Sequence, residues 1–228
     1  MSFENNIPVK LAIFDMDGVI IDSEPFWQEV EKQVFAKIGF DVTSLVEGGR
    51  TKGVRLDEVI RNWQAILGFD KGISETIYSE IIQGIVDRIE KDGVRIPYAE
   101  EAINFFAERG VALALASGSN YEIIDVVMKK FNLRDRFSVI YSAEDEIYGK
   151  PHPGIFITTA TLVGVLPMHA VVIEDSLNGV VAAKAASMRV IAVPPANEQS
   201  DVRFSLADCQ LNSLSEISRA VPMMGLDG

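Results

Sequence analysis

The chain has 228 residues, of which 48% are hydrophobic, and carries a formal net charge of −12. This length and composition predict a globular protein with a sizeable core, and the charge argues against nucleic acid or an anionic membrane as partner. The single cysteine, Cys209, excludes an internal disulfide and suits a reducing compartment. Because the N-terminus has no signal-peptide pattern and no apolar run is long enough to span a bilayer, we expect a cytoplasmic protein.

Short apolar runs rich in β-branched residues recur along the chain, and helical patterns separate them from about residue 94 onward. Continuous apolar runs are typical of strands that are buried on both faces of a parallel sheet. The alternation of strands and helices predicts an α/β fold. The predicted strands are Val9–Phe14, Val111–Ala116, Val139–Tyr141, Val171–Ile173 and Val190–Val193, and the predicted helices are Ala99–Arg109, Asn120–Phe131, Ile155–Val165 and Val180–Ala186.

Residues 22–93 differ from the rest, because this stretch contains amphipathic helical patterns and no strand run. A helical block inserted after the first strand predicts a small cap domain over 22–93, with a core domain formed by 1–21 and 94–228. Val46–Gly49 indicates a loop inside the cap. The predicted cap helices are Phe26–Ile38, Leu56–Leu67 and Ile77–Ile89.

Two carboxylates follow the first predicted strand. Asp15 and Asp17 lie two residues apart, so in an extended backbone their side chains point to the same side. In an open parallel sheet, ligands bind just outside the carboxyl ends of the strands. Like charges this close are costly unless a cation or a proton relieves them. Taken alone, the pair is better explained as a polar strand end that turns into a loop.

Other polar residues follow the later predicted strands and change that interpretation. Ser117 and Gly118 end the second run, Glu174 and Asp175 end the fourth, and Lys150 lies in a loop before a helix. A hydroxyl and exposed amides at a helix start can hold phosphate oxygens. Carboxylate and carbonyl oxygens suit Mg²⁺. Each feature alone is also compatible with ordinary turn, cap or surface chemistry, but together they indicate a phosphate site with a metal.

These residues resemble four motifs of the haloacid dehalogenase superfamily of phosphohydrolases, and the resemblance covers nearly the whole chain. The helical insert resembles the C1 cap of the subgroup that contains β-phosphoglucomutase. Within that subgroup, the sequence is most similar to sugar and hexitol phosphatases such as 2-deoxyglucose-6-phosphate phosphatase. The motifs are Asp15–Val19, Leu113–Gly118, Lys150–Pro153 and Glu174–Ser176, and Ile21–Pro25, Arg50–Arg55 and Val193–Pro195 carry the similarity to the sugar phosphatases.

The resemblance implies a catalytic role for each matching residue. Asp15 would be the nucleophile that forms an aspartyl phosphate. Asp17 would be the general acid for the leaving alcohol and then the base that activates water. Ser117 and the amide of Gly118 would hold the transferring phosphoryl group. Lys150 would neutralise Asp15 and the phosphate oxygens.

The resemblance also implies a metal site and a strand order. Asp15 and Asp175 would bind Mg²⁺ together with the backbone carbonyl of Asp17, and Glu174 would lie close behind or in contact. The family's Rossmann-like sheet has the order 3-2-1-4-5, which places the first and fourth strands side by side. Asp15 and Asp175 would then be neighbours.

Three cap residues are candidates for contact with the substrate. Glu24 is near the entry to the cap, and Lys52 and Arg55 lie before its second predicted helix. A helix-start acid is an equally good explanation of Glu24, and solvated surface is the safer explanation of each cation. Arg50 belongs to the same loop.

The expected activity is Mg²⁺-dependent hydrolysis of small sugar phosphates, such as hexose 6-phosphates, 2-deoxyglucose 6-phosphate and hexitol phosphates, by a monomer. A phosphomutase, a phosphoglycolate-type phosphatase and a phospho-acceptor signalling domain are the alternatives. The mutase of this subgroup carries a His where this chain has Trp27, which favours hydrolysis. Trp27 is also compatible with an ordinary place in the cap core.

Overall fold

The computed structural model describes residues 7–47 and 51–225, and a six-stranded parallel sheet lies at its centre. The strand order is β3-β2-β1-β4-β5-β6, so the first and fourth strands pair directly. All four residues of the first strand are buried, as expected for a strand covered on both faces. The strands are β1 (Leu11–Phe14), β2 (Ala112–Ser117), β3 (Val139–Ser142), β4 (Ala170–Glu174), β5 (Arg189–Ala192) and β6 (Cys209–Gln210).

The sheet confirms the predicted fold class and the predicted order of the first five strands. Each predicted strand lies within two residues of an observed one. The edge strand β6 was not predicted, because it has only two residues and one of them is a polar Gln. So short an element leaves no apolar run for a pattern to detect.

Nine α-helices are present in the described ranges 7–47 and 51–225, and five of them lie between β1 and β2, of which the first four form one segment before α5. We call this four-helix segment, Glu24–Asp92, the cap. The helices are α1 (Glu24–Lys37), α2 (Thr43–Glu47), α3 (Leu56–Leu67), α4 (Ser74–Asp92), α5 (Ala99–Ala107), α6 (Tyr121–Phe131), α7 (Gly154–Val163), α8 (Leu177–Ala185) and α9 (Val221–Met224).

The loop predicted at Val46–Gly49 is wrong in its described part. Val46 and Glu47 end the short helix α2, in which Val46 donates a backbone hydrogen bond to Val42. Val46 is also buried, so packing favours the helical turn. Gly48 and Gly49 lie outside the described residues.

The two connections between the cap and the sheet run side by side. The Asp22 amide donates to the Val94 carbonyl at 3.1 Å, and the Ile96 amide donates to the Ile20 carbonyl at 2.9 Å. An antiparallel bridge joins Ile21 to the second connection. The cap therefore enters and leaves at one place, where the predicted domain boundaries fall, although the division into two domains remains a prediction.

Two layers of apolar side chains cover the two faces of the sheet. Successive residues of β1 point to opposite sides, so Leu11 and Ile13 join one cluster and Ala12 and Phe14 join the other. Phe14 packs edge-on against Phe106 of α5, with ring centroids 5.8 Å apart. Burial of a side chain of this size contributes ~1.5–3 kcal/mol. This packing gives the ends of the central strands a rigid support.

None of the described helices is both long and apolar enough to cross a membrane.

Candidate active site

The carboxyl ends of β1, β2 and β4 bring the predicted site residues together at one edge of the sheet. Asp15 follows β1, Ser117 ends β2 and Glu174 ends β4. The Asp15 amide donates to the Ile173 carbonyl at 3.0 Å, so β1 and β4 stay paired up to the site. Asp15, Ser117 and Glu174 are all buried, as is Lys150 from the loop before α7.

Lys150 bridges two of these carboxylates. Its Nζ lies 2.7 Å from Oδ1 of Asp15 and 2.5 Å from Oε1 of Glu174. The second oxygen of Glu174 accepts hydrogen bonds from the amide and the hydroxyl of Ser176, both at 2.9 Å. Burial alone would lower the pKa of Lys150, but the two carboxylates raise it above its ordinary value. Lys150 therefore stays charged and fixes both acids.

Asp15, Glu174 and Asp175 form a compact acidic cluster. One carboxylate oxygen from each lies within 4.8 Å of the others, and all three residues are buried. Burial raises the pKa of Asp15 well above its usual range, although Lys150 opposes this shift. Burial also raises the pKa of Asp175 to about 7, against the lowering effect of Lys52. Carboxylates in this environment favour a cation as partner.

The backbone of Gly18 makes room for this cluster. Gly18 has a φ of 78°, and a Cβ there would lie 1.9 Å from Oδ2 of Asp175. Only glycine allows both the left-handed backbone and the close approach of the carboxylate. Hard oxygen ligands held this close suit Mg²⁺, so the donor set fits the predicted metal.

Asp17 lies beside this cluster and accepts hydrogen bonds from four side chains. Its Oδ1 accepts from the Ser23 hydroxyl at 2.5 Å and from the Trp27 indole at 3.3 Å. Its Oδ2 accepts from the Ser119 hydroxyl at 2.8 Å and from the Ser117 hydroxyl at 3.3 Å. Two donors come from the cap side, one from the end of β2 and one from the loop after it, so the carboxyl is held in one orientation.

Lys52 brings the cap to the acidic cluster. Its Nζ lies 2.8 Å from Oδ2 of Asp175 and 3.6 Å from Oε1 of Glu198. The side chain is 13% exposed, so the interpretation as solvated surface is wrong for this residue. The Asn178 amide donates to the Lys52 carbonyl at 3.0 Å, which ties the cap loop to α8.

Arg55 fastens the cap to the core. Its guanidinium donates to both oxygens of Asp57, at 2.9 and 2.8 Å. It also donates to the backbone carbonyls of Ala143, at 3.1 Å, and Glu146, at 2.5 Å. Arg55 is therefore not solvated surface either, and most of its donors are already used. Its predicted contact with the substrate remains a prediction.

A second hydrogen bond reinforces this attachment. Oε1 of Glu58 in α3 accepts from the Gly149 amide at 2.8 Å, directly before Lys150. The cap thus bonds to the loop that carries the buried lysine. Arg50, from the same predicted loop as Arg55, lies outside the described residues.

A cavity of about 240 Å³ lies between the cap and the edge of the sheet. Asp15, Asp17 and Asp175 line it from the core, together with Gly118 and Ser119. Ser117 is fully buried. Among the described residues, the cavity wall at this point is formed by Gly118 and Ser119 and not by Ser117. The predicted substrate residues Glu24, Lys52 and Arg55 line it from the cap.

Three residues of the site have no role in the predictions from the sequence. Ser23 and Ser119 donate to Asp17, and Glu31 of α1 lines the cavity. A second hydroxyl two residues after Ser117 was a usable signal for Ser119. Glu31 lies four residues after Trp27, on the apolar stripe of its helix, and a charged residue on such a stripe was the signal for it.

The model of the haloacid dehalogenase-like hydrolases matches residues 9–187. Hexitol phosphatase B of Escherichia coli K12 is 39% identical over 210 residues, which cover 92% of this chain and 95% of that protein. CbbY of Rhodobacter sphaeroides has a similar structure, with a TM-score of 0.82 and 24% identity over 96% of this chain and all of that one. The β-phosphoglucomutase of Clostridium difficile aligns with a TM-score of 0.79, at 24% identity over 91% of this chain and 92% of that one.

These findings agree with the motifs and with the converged site. The solved structures show a common fold, whereas the family match and the sequence relative extend to the type of enzyme. The prediction of an enzyme of the phosphatase class is confirmed. Asp15, the nucleophile candidate, is buried at the end of β1, as the family motif requires. Because the family model matches residues 9–187, the chain belongs to the haloacid dehalogenase-like hydrolase family.

Proposed function

We propose that the protein is a Mg²⁺-dependent phosphatase that hydrolyses small sugar phosphates, such as hexose 6-phosphates, 2-deoxyglucose 6-phosphate and hexitol phosphates. The observation that carries the proposal is the placement of Asp15 and Asp17 on one cavity wall, with Lys150 bonded to Asp15 beneath it. One carboxylate is bound to an ammonium group and the other to hydroxyl and indole donors. The two acids therefore have different environments, as two different chemical roles require.

In the first half of the reaction, a carboxylate oxygen of Asp15 attacks phosphorus and the bond from phosphorus to the ester oxygen breaks. No described residue donates a hydrogen bond to Oδ2 of Asp15, which leaves a lone pair for the attack. The carboxyl of Asp17 gives its proton to the leaving alcohol oxygen. Lys150 offsets negative charge around Asp15.

In the second half, Asp17 takes a proton from water, which attacks phosphorus. The bond from phosphorus to Asp15 then breaks and inorganic phosphate leaves. Phosphoryl transfer depends mainly on positioning and on charge neutralisation. When bound by Asp15 and Asp175, with the carbonyl of Asp17 and with Glu174 nearby, Mg²⁺ would supply the additional positive charge that the phosphate oxygens need.

The cap gives the site a means to exclude water. Gly53 of the cap lies close above Gly118, because a Cβ on Gly118 would be 3.4 Å from the Gly53 carbonyl oxygen. A covered cavity of about 240 Å³ fits a small-molecule phosphate ester rather than a macromolecule. The substrate class is supported by the name of the Escherichia coli relative, hexitol phosphatase B.

The proposal is tested by phosphate release from a panel of hexose and hexitol phosphates, with Mg²⁺ and with EDTA. We expect turnover with the metal, loss with EDTA, and no isomerised sugar phosphate among the products. Asp15→Asn removes the nucleophile and should lower kcat by on the order of 10⁴-fold or more with the fold intact. Asp135→Asn, at an exposed position, is the matched control. Metal-independent turnover, or isomerisation without phosphate release, would contradict the proposal.

A further inference from the structure

Glu31 is a buried carboxyl on the cap side of the cavity. It lies in the middle of α1, is 4% exposed and lines the cavity. Its neighbours at helical spacing, Trp27, Val34 and Phe35, pack into the apolar core. Among the described residues, no side chain or backbone group forms a hydrogen bond or an ion pair with the Glu31 carboxyl.

The Glu31 carboxyl faces the cavity: in the described part of the chain, the fully buried side-chain atoms without a hydrogen-bond partner are Arg88 Nε and Arg95 Nε, and neither oxygen of Glu31 is among them. Burial of a polar group without a hydrogen-bond partner is unfavourable, and an apolar residue would suit this position on the helix stripe. Burial, and the nearby charge of Glu24, raise the pKa of Glu31 to about 8. At neutral pH the group therefore keeps its proton in most molecules and can both donate and accept a hydrogen bond.

We propose that Glu31 is a specificity residue that hydrogen-bonds a hydroxyl group of the sugar or polyol part of the substrate. The inference rests on the proposed sugar phosphatase function. It identifies the residue that recognises the hydroxyl-bearing part of the substrate. A hydroxyl gives the Glu31 carboxyl the partner that it lacks among the described residues.

Other ligand groups suit the position less well. An alkyl group would leave the carboxyl unpaired, and a phosphate would add negative charge beside Glu24. An ammonium group pairs best with an ionised carboxylate, whereas Glu31 is held largely neutral. A site with a buried hydrogen-bonding group also rejects analogues that lack the matching hydroxyl, because the group then stays unpaired.

Three phosphate esters with the same six-carbon chain test the inference: sorbitol 6-phosphate, n-hexyl phosphate and 6-aminohexyl phosphate. The measured quantity is the ratio of kcat/KM for sorbitol 6-phosphate to kcat/KM for n-hexyl phosphate. We expect Glu31→Leu to lower this ratio by about tenfold or more, with a larger change in KM than in kcat. Glu31→Gln keeps hydrogen-bonding capacity and should lower it by about threefold.

Glu29→Gln is the matched control, because it makes the same chemical change on the same helix outside the cavity. Glu29 pairs with Arg88 at 2.8 Å, and its side chain is 42% exposed. This variant should keep the wild-type ratio. If Glu31→Leu does not fold, Glu31→Gln against Glu29→Gln decides the question.

Three results would overturn the inference. An active enzyme whose ratio is unchanged in the Glu31 variants would remove Glu31 from recognition and leave the proposed phosphatase function standing. If the wild type prefers 6-aminohexyl phosphate to sorbitol 6-phosphate, the substrate group that Glu31 recognises is an amine and not a hydroxyl. Absence of phosphate release from all three esters would reject both this inference and the proposed function.

Discussion

The carboxylates at the edge of the sheet and the carboxylate in the cap are buried to a similar degree but differ in their partners. Asp15 and Glu174 share Lys150, and Asp175 pairs with Lys52. Glu31 has no partner among the residues that the structure describes. Acids that take part in a reaction need a fixed orientation in the free enzyme, whereas an acid that recognises a ligand is left free for it. Four changes test this comparison, from the largest expected effect to the smallest.

Asp17→Asn removes the proposed proton donor from the sheet edge and keeps its shape. General acid catalysis contributes ~10²–10⁴-fold, so we expect a loss of this size for an alkyl phosphate, whose leaving group is poor. p-Nitrophenyl phosphate has a good leaving group and should lose much less. The measurement is kcat for both esters in wild type and variant. Equal losses for the two esters would contradict the role of Asp17 as acid.

Lys150→Met removes the shared partner of two buried acids. Breaking a buried ion pair by removal of one member costs ~3–5 kcal/mol, because the remaining charges stay buried. We expect a fall of this size in the free energy of unfolding, measured in urea at neutral pH, along with loss of phosphatase activity. Lys184→Met is the control, because its pair with Asp208 is partly exposed, with side chains 37% and 32% exposed, and pairs in contact with solvent contribute ~1 kcal/mol or less. A similar fall in the free energy of unfolding in both variants would mean that the buried ion pairs of Lys150 stabilise the fold no more than a partly exposed pair.

The central part of the site was predictable from the sequence because it depends on strand ends. Asp15, Lys150 and Asp175 follow or lie between apolar runs, and the parallel order of the strands brings them together. Glu31 and Ser23 were missed because their places depend on how the cap packs over the sheet. A charged Glu31 on the apolar stripe of α1 was a signal, but the stripe does not show which turn of the helix faces the cavity, and the two-residue strand β6 was too short to give a pattern at all.

Glu31→Gln should change how stability depends on pH. The folded pKa of Glu31 is about 8, against an ordinary value of 4.5. Below pH 4.5 the carboxyl holds its proton in both states. Between 4.5 and 8 only the unfolded chain releases it, so the wild type loses stability as the pH rises, by at most ~1.4 kcal/mol per pH unit.

The variant lacks this titration, so the difference between the two free energies of unfolding should shift in favour of Glu31→Gln as the pH rises through this window. Lys52 and Arg55 also line the cavity, but their charged ends bond to Asp175 and Asp57. Urea unfolding at pH 5, 6, 7 and 8 gives the difference. If the difference in the free energy of unfolding does not change with pH, Glu31 has an ordinary pKa. Its carboxyl would then have a hydrogen-bonding partner in the free protein, unlike the contrast with the sheet edge drawn above.

Arg55→Ala tests the attachment of the cap to the core. This attachment keeps Glu31 of the cap and the carboxylates at the sheet edge around the same cavity. Hydrogen bonds of a charged group contribute ~1.5–3 kcal/mol, and the loss of the two bonds to the core is expected to lower kcat/KM for a sugar phosphate by about tenfold. Arg61→Ala is the matched control, because Arg61 also pairs with Asp57 but is 68% exposed. Faster proteolysis at the cap connections in Arg55→Ala alone would support the attachment. A weaker inhibition by inorganic phosphate with unchanged proteolysis would instead favour direct contact between Arg55 and the substrate.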